Sequence, residues 1–338
     1  MKINNAYIEI TNICNLNCRS CYNRSGVPHT KKELSLAKII TLTDRLINEY
    51  GCERISLSGG EPTLHSEFSE ILEYLLKYDV QIGVVTNGTS ENESFINTIN
   101  ENEKISIQVS LDGSCEEINA KTRGTGSFIK TKAFLSKLNK AKKPFVKMVI
   151  SQNNIEDVRS FYELAVSLDC IPEFDFINIM GNAGEVWQAL SLSAKQKLGV
   201  LRLISNLNKE YGISAHLPYC TSSCPLAVPE SAHSVLIKSD GSAYPCQMLY
   251  SDKYVLGNLL TDDMEVFETS FRKIADIAQK RIKTDYGCEK CLAKIVCKKG
   301  CMAFAEMNTG DPLANDGECD FRKLQIIGFH ALGQGVPK

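Results

Sequence analysis

A strand-length apolar run followed by a helix-length segment recurs six times between Ala6 and Lys209, and this repetition restricts the fold more than any other feature of the chain. The strand-like runs are Ala6 to Ile10, Arg54 to Ser58, Val80 to Thr86, Lys104 to Leu111, Phe145 to Ser151 and Glu173 to Met180. The spacing predicts helices at about Ser35 to Glu49, Ser66 to Lys77, Glu91 to Asn100, Ser127 to Lys142, Ile155 to Leu168 and Ser193 to Lys209. Strands that alternate with helices pair in parallel through right-handed crossovers, so residues 1–210 read as one α/β domain. Six units fall short of the eight of a closed βα barrel and are compatible with a doubly wound sheet as well. Polar and glycine-rich signals recur just after the strands, at Gly59-Gly60-Glu61, Thr86-Asn87-Gly88, Ser110 to Gly113, Asn153-Asn154 and Met180-Gly181. That recurrence favours a barrel, because its strand ends all face one ligand site.

Three thiols, Cys14, Cys18 and Cys21, follow the first strand within eight residues. Together they can grip one small inorganic guest and leave a fourth position open. A structural zinc knuckle and incidental core cysteines are the plain alternatives. The 338-residue chain has 14 cysteines, no apolar run of membrane-spanning length and no signal peptide before its first strand. A cytoplasmic protein is expected, in which so many thiols read as metal or cluster ligands rather than disulfides. A net charge of -2 argues against a nucleic-acid surface as the main business, and no membrane partner is expected.

The Cys-x3-Cys-x2-Cys spacing resembles the signature of the radical S-adenosylmethionine (SAM) enzymes. The resemblance implies a partial (β/α)6 TIM-like barrel in which Cys14, Cys18 and Cys21 hold a 4Fe-4S cluster whose open iron takes SAM. Reductive cleavage of SAM to a 5′-deoxyadenosyl radical would follow, chemistry that the cofactor supplies and the protein positions. Gly59-Gly60-Glu61-Pro62 resembles the family's GGE motif, whose glycines admit the methionine amino group. Ser110 and Asp112 fall where the family contacts ribose and nearby polar groups, and Arg123 resembles an arginine that pairs with the SAM carboxylate. Met180 falls where adenine is flanked. The family's aromatic residue before the third cysteine is replaced here by Ser20, and Tyr22 follows instead as the aromatic candidate.

Residues 211–233 shift to Pro, Ser and Cys and read as a bridge; residues 234–338 form a second, cysteine-rich unit. Asp240-Gly241 between two apolar runs signals a hairpin whose second arm delivers Cys246. Cys288-x2-Cys291-x5-Cys297-x3-Cys301 follows, with Cys319 after 17 further residues. This pattern resembles the SPASM domain, the auxiliary-cluster extension of many radical SAM enzymes. The resemblance assigns Cys220, Cys224, Cys246 and Cys301 to auxiliary cluster I and Cys288, Cys291, Cys297 and Cys319 to auxiliary cluster II, giving three 4Fe-4S clusters in all. Two zinc sites with interleaved ligands are the alternative. Cys52, Cys115 and Cys170 remain; a buried structural role is the default, and Cys115 stands out because it follows the presumed active face.

The combination implies hydrogen-atom abstraction from a ribosomally made peptide, ending in oxidative modification or cross-linking through a thioether, carbon–carbon or ether bond. A flavodoxin- or ferredoxin-type electron donor and a separate leader-recognition protein are the expected partners, since the chain runs directly into its first strand. Anaerobic sulfatase maturases carry an aspartate base after the hairpin cysteine, where this chain has Gln247, which cannot take a proton. Dehydrogenation or epimerisation of a small molecule such as a sugar is the alternative enzyme reading, and a zinc- or cluster-bearing binding scaffold the non-enzymatic one.

Overall fold

The computed structural model describes residues 2–26, 31–218, 224–228, 233–291, 293–294, 297 and 299–331. Its elements run β1 (Ile3–Thr11), α1 (Leu36–Asn48), β2 (Arg54–Gly59), α2 (Phe68–Leu75), β3 (Gln81–Thr86), α3 (Glu93–Glu101), β4 (Ile105–Ser110), α4 (Glu116–Arg123), α5 (Ser127–Lys137), β5 (Phe145–Ile150), α6 (Val158–Ser167) and β6 (Ile171–Phe176). They continue with α7 (Trp187–Leu190), α8 (Ala194–Tyr211), β7 (His233–Ile237), β8 (Ser242–Tyr244), β9 (Gly257–Asn258), α9 (Met264–Lys283), α10 (Met302–Thr309) and α11 (Cys319–Ala331). The six alternating units are all present, and strands β1 to β6 pair in sequence order and in parallel.

Alternation along the strands separates two faces. On β4, Ile105, Ile107 and Val109 are buried against the helices, while Ser106, Gln108 and Ser110 face the other way. That other face is polar across the sheet. Arg54 on β2 reaches over β3 to donate to Ser106 Oγ at 2.6 Å, a crossing that Gly83 permits, because a Cβ there would stand 3.1 Å from the guanidinium. Lys147 on β5 pairs with Asp175 on β6 at 2.6 Å and feels Tyr7 on β1. Residues four strands apart come within electrostatic range of one another only if the sheet curls, so the polar face is the concave interior of an open barrel.

Two features depart from the sequence reading. β6 lies at Ile171–Phe176 rather than Glu173 to Met180. Asn178 Oδ1 accepts from the Met180 N–H at 3.0 Å, an Asx-type turn that ends the strand early. Met180 therefore sits in the turn beyond the strand. The second departure is at the predicted boundary near residue 234. β7 adds in parallel to the free edge of β1, with Tyr7 opposite Leu236 and Ile8 opposite Ile237, and the expected hairpin turns at Gly241 into β8. One nine-stranded sheet, ordered β6-β5-β4-β3-β2-β1-β7-β8-β9, thus crosses that boundary. The concave face and the hairpin that carries Cys246 form a continuous surface.

The cysteine-rich part is organised by α9, whose Phe267, Phe271, Ile274, Ala275 and Ala278 are buried at helical spacing. Near its end Arg281, 1% exposed, donates to the carbonyls of Ala314 at 3.0 Å, Gly300 at 2.9 Å and Lys299. One guanidinium thereby ties α9 to two loops that carry no regular structure. Among the described residues no helix is long and apolar enough to cross a membrane. Replacing Arg281 with Met keeps the bulk but leaves buried carbonyls unpaired, at about 1–3 kcal/mol each. Thermal unfolding followed by circular dichroism should show a midpoint lowered by several degrees, and an unchanged midpoint would contradict this role.

Candidate active site

The loop after β1 is held at its carbonyls by the residues that follow β2 and by the turn beyond β6. Thr11 O accepts from Gly60 N at 2.8 Å and Ile13 O from Glu61 N at 2.7 Å. The approach leaves no room for side chains: a Cβ on Gly59 would lie 2.1 Å from Thr11 O, and one on Gly60 2.0 Å from Ile13 O. Gly59 also has φ +126°, a region that favours glycine. Across the loop, Asn182 N donates to Cys21 O and Asn182 Nδ2 to Cys18 O, both at 2.9 Å. Gly181, at φ +60°, packs so closely that a Cβ would meet Cys21 O at 2.2 Å and Tyr22 O at 2.4 Å. Arg19 N donates to Thr122 O on α4 at 2.9 Å. From the β3 side Asn87 Nδ2 donates to Asn15 Oδ1 at 2.8 Å.

Several residues with expected ligand roles also make contacts within the protein. Glu61, 1% exposed, accepts from Thr63 Oγ1, Thr86 Oγ1 and Asn87 N, each at 2.7 Å. Burial raises its pKa, and these hydrogen bonds work against the rise. Its carboxylate braces β2 against β3, so the motif acts on this site through its backbone. Asp112, fully buried, accepts from Val149 N at 2.8 Å and pairs with Arg123 Nε at 2.9 Å. Burial works against the Arg123 charge, but Asp112 and then Cys18 hold its pKa above the ordinary value. Arg123 thus stands beside the second cysteine with Asp112 as counter-ion. Ser110 ends β4 on the concave face. Tyr22 lies among Glu9, Cys21, Tyr250 and Tyr7, and its carbonyl accepts from Tyr250 Oη at 3.0 Å. Met180 is buried, and its successors Gly181 and Asn182 make the contacts to the cysteine loop.

Sequence reasoning missed the pair beneath the loop. Glu9, 1% exposed on β1, bonds Lys238 Nζ at 2.8 Å; Lys238 also donates to Asn23 Oδ1 at 2.8 Å and lies 4.8 Å from the Tyr250 ring centroid. This ties the barrel's first strand, the segment after Cys21 and the auxiliary hairpin together. Glu9 stands in an apolar run at an alternate position, which reads from sequence as a solvent-facing residue. Only the curling of the sheet makes that face an interior.

The thiols fit a cationic guest. Burial pushes Cys14 up and Cys18 up to about 12, the Arg123 charge being too little to offset it. Metal binding to such half-buried thiols would replace their protons. Two buried polar atoms in the register next to the loop, Glu9 Oε1 and its cross-strand neighbour Ser58 Oγ, have no hydrogen-bond partner among the described residues, as expected where a polar guest is seated. Farther along, Cys224, Cys246 and Cys301 lie close enough to influence one another, with burial pushing Cys246 up to about 12 and Cys301 up to about 11. Cys220 lies outside the described residues. Cys288, Cys291, Cys297 and Cys319 together line one cavity of about 330 Å³. Among the described residues no three His, Cys, Asp or Glu side chains group tightly enough to hold a single metal ion. Cys52 and Cys170 are buried away from these groups, and Cys115 is exposed at the start of α4.

Comparison with known proteins gives two family matches: the radical SAM superfamily over residues 8–165 and the SPASM iron-sulfur cluster-binding domain over residues 229–292. The mycofactocin maturase of Mycobacterium ulcerans is 28% identical over 96% of this chain and 89% of its own length. The sporulation killing factor maturation protein of Bacillus subtilis is 25% identical over 85% of this chain and 68% of its own. The solved structure of native anSMEcpe with bound AdoMet and Cp18Cys peptide covers 98% of both chains with a TM-score of 0.76 at 22% identity, a likeness of fold.

The Gly181 contact makes a sharp prediction. Gly181→Ala should cost about four irons per chain on anaerobic reconstitution, by spreading the loop that carries Cys18 and Cys21. Gly199→Ala, where an added Cβ meets nothing within 4 Å, should keep full iron. Equal iron in the two variants would contradict the clamp.

Proposed function

From a chain that belongs to the radical SAM superfamily and carries its SPASM extension, we propose a maturase that oxidatively modifies or cross-links a ribosomally made peptide. The carrying observation is the three-thiol loop, clasped by main-chain contacts at the strand ends of an open barrel whose concave face is polar. When bound, a three-cysteine 4Fe-4S cluster and SAM supply a 5′-deoxyadenosyl radical able to take a hydrogen atom from substrate. The chain's own work is positioning. Cys14, Cys18 and Cys21 would hold that cluster. The backbone at Gly59 and Gly60, the Arg123–Asp112 pair, Ser110 and the Met180–Gly181 turn would shape the SAM side, with Tyr22 behind the third cysteine.

In this reading Cys220, Cys224, Cys246 and Cys301 hold one auxiliary 4Fe-4S cluster and Cys288, Cys291, Cys297 and Cys319 a second. The 330 Å³ cavity ringed by the last four thiols supports that division. A four-thiolate cubane is coordinatively closed and suits electron transfer. Substrate reaches the concave face from the open edge beside β6. A second cavity of about 140 Å³ lies there, walled by the aromatic rings of Phe176, Trp187, Phe304 and Phe321 and by the charged Asp175, Lys197 and Glu318, and its size suits one side chain of a peptide. Two of the relatives are named for the maturation of mycofactocin and of sporulation killing factor, and Gln247 in place of a base after Cys246 tells against sulfatase-type maturation. A flavodoxin- or ferredoxin-type donor, a separate leader-recognition protein and a cytoplasmic setting complete the proposal.

The test is mass spectrometry on the short peptide encoded nearest the gene, incubated in deuterated buffer with SAM and the reconstituted, reduced enzyme. Loss of two hydrogens as a linkage that survives fragmentation is the expected result. An unchanged peptide alongside 5′-deoxyadenosine release would overturn the peptide assignment, and a one-unit deuterium gain would indicate epimerisation. Total iron should be about 12 per chain. Joint replacement of Cys14, Cys18 and Cys21 by Ala should remove about four of them and all SAM cleavage; zinc in place of iron would leave only a scaffold.

A further inference from the structure

The cavity ringed by Cys288, Cys291, Cys297 and Cys319 has an unusual wall. Five cations line it, Lys283, Lys294, Lys299, Arg322 and Lys323, against one carboxylate, Asp285. The sequence around it repeats the bias: residues 280–299 hold seven lysines and arginines and two acids, in a chain with 38 basic and 40 acidic residues overall. Two of the five cations serve the fold. Arg322 is buried in a pair with Asp316, and Lys299 is buried, donates to Thr284 O and lies 5.3 Å from the Tyr286 ring centroid. Both inner cations are thereby committed to the fold.

The outer ones do not serve that end. Lys283 and Lys294 are exposed on the rim, as are Lys280 and Lys290 beside it, and Lys323 is exposed with only a 3.5 Å contact to Asp320. Like charges gathered on a solvent-facing rim repel one another and contribute nothing to folding. Such a patch attracts an acidic surface and raises the rate of encounter with it. Its position at the mouth of a four-thiol cavity identifies which acidic surface is useful. Electron transfer requires a carrier's redox group to approach the buried centre closely, and this wall is where one can.

We propose that the lysine rim around Cys288, Cys291, Cys297 and Cys319 docks an acidic one-electron carrier protein, of flavin or low-potential iron-sulfur type. This rests on the reading above that these four thiols hold a cluster. In the docked complex one electron passes from the reduced carrier to the oxidised four-cysteine centre; no bond forms or breaks, and the chain supplies no proton.

The experiment uses the holoenzyme with an acidic flavodoxin as probe. Affinity is measured by titration calorimetry and electron transfer by stopped-flow absorbance of the flavodoxin hydroquinone. The double variant Lys283→Glu/Lys294→Glu should weaken binding by about tenfold or more and slow electron transfer in step, with parental iron content and visible spectrum. Raising the salt should weaken the parent complex in the same direction. The control Lys130→Glu/Lys132→Glu, on the exposed side of α5, should bind as the parent does. Affinity untouched by the rim variant, insensitive to salt, or lost equally in the control would overturn the docking. A Cys291→Ala holoenzyme with undiminished iron would overturn the cluster reading, and the docking with it.

Discussion

The cysteine loop is positioned chiefly through its backbone, and the rest of the site follows from that. Carbonyls of Thr11, Ile13, Cys18 and Cys21 accept the hydrogen bonds that fix it, from Gly60, Glu61 and both nitrogens of Asn182. A loop held this way keeps its three thiols for a guest. It also explains why glycine stands at 59, 60 and 181, where any Cβ would come within 2.0–2.2 Å of a loop carbonyl. The Gly-Gly pair therefore has a structural reason independent of any ligand. The same backbone that supports Ile13 also lies where SAM would be met.

Charge is arranged around that loop with little to spare. Arg123 is the cation beside Cys18, and it is already committed to Asp112. Burial raises Cys14, Cys18, Cys246 and Cys301, and a bound metal would stabilise their thiolates. The first and auxiliary regions are coupled by Glu9 and Lys238, whose pair joins β1 to the end of β7 directly beneath the loop. Addition of β7 to β1 brings the hairpin cysteine to the barrel's own sheet. The concave face is thus bordered on one side by the three-thiol loop and on the other by the hairpin that carries Cys246.

Local pattern carried much of this architecture. Six βα units and the hairpin at Asp240-Gly241 were legible as periodicity or spacing, and the grouping of Cys288, Cys291, Cys297 and Cys319 around one cavity is the one that the SPASM resemblance implied. What escaped was set by contacts distant in sequence. Glu9 meets Lys238 across 229 positions of chain, and Arg54 meets Ser106 only over a glycine on the strand between them. α4 escaped for another reason: Glu116 to Arg123 is nearly all polar, so it shows no apolar stripe although its Arg123 and Thr122 both reach the site. α9 did show a stripe at Phe267, Phe271, Ile274 and Ala278 that the cysteine pattern overshadowed. Glu61 was recognisable as a motif residue, but its role as a brace between β2 and β3 depends on Thr86 and Asn87, which no spacing rule connects to it.

The central claim is that one three-thiol centre keeps an open iron for SAM while the auxiliary centres are closed. Electron paramagnetic resonance of the reduced holoenzyme, recorded with and without SAM, tests it most directly. The account predicts that SAM changes one cluster signal, that this signal is the one missing from Cys18→Ala, and that the remaining signals are untouched. A spectrum indifferent to SAM, or a SAM-sensitive signal that survives Cys18→Ala, would contradict it.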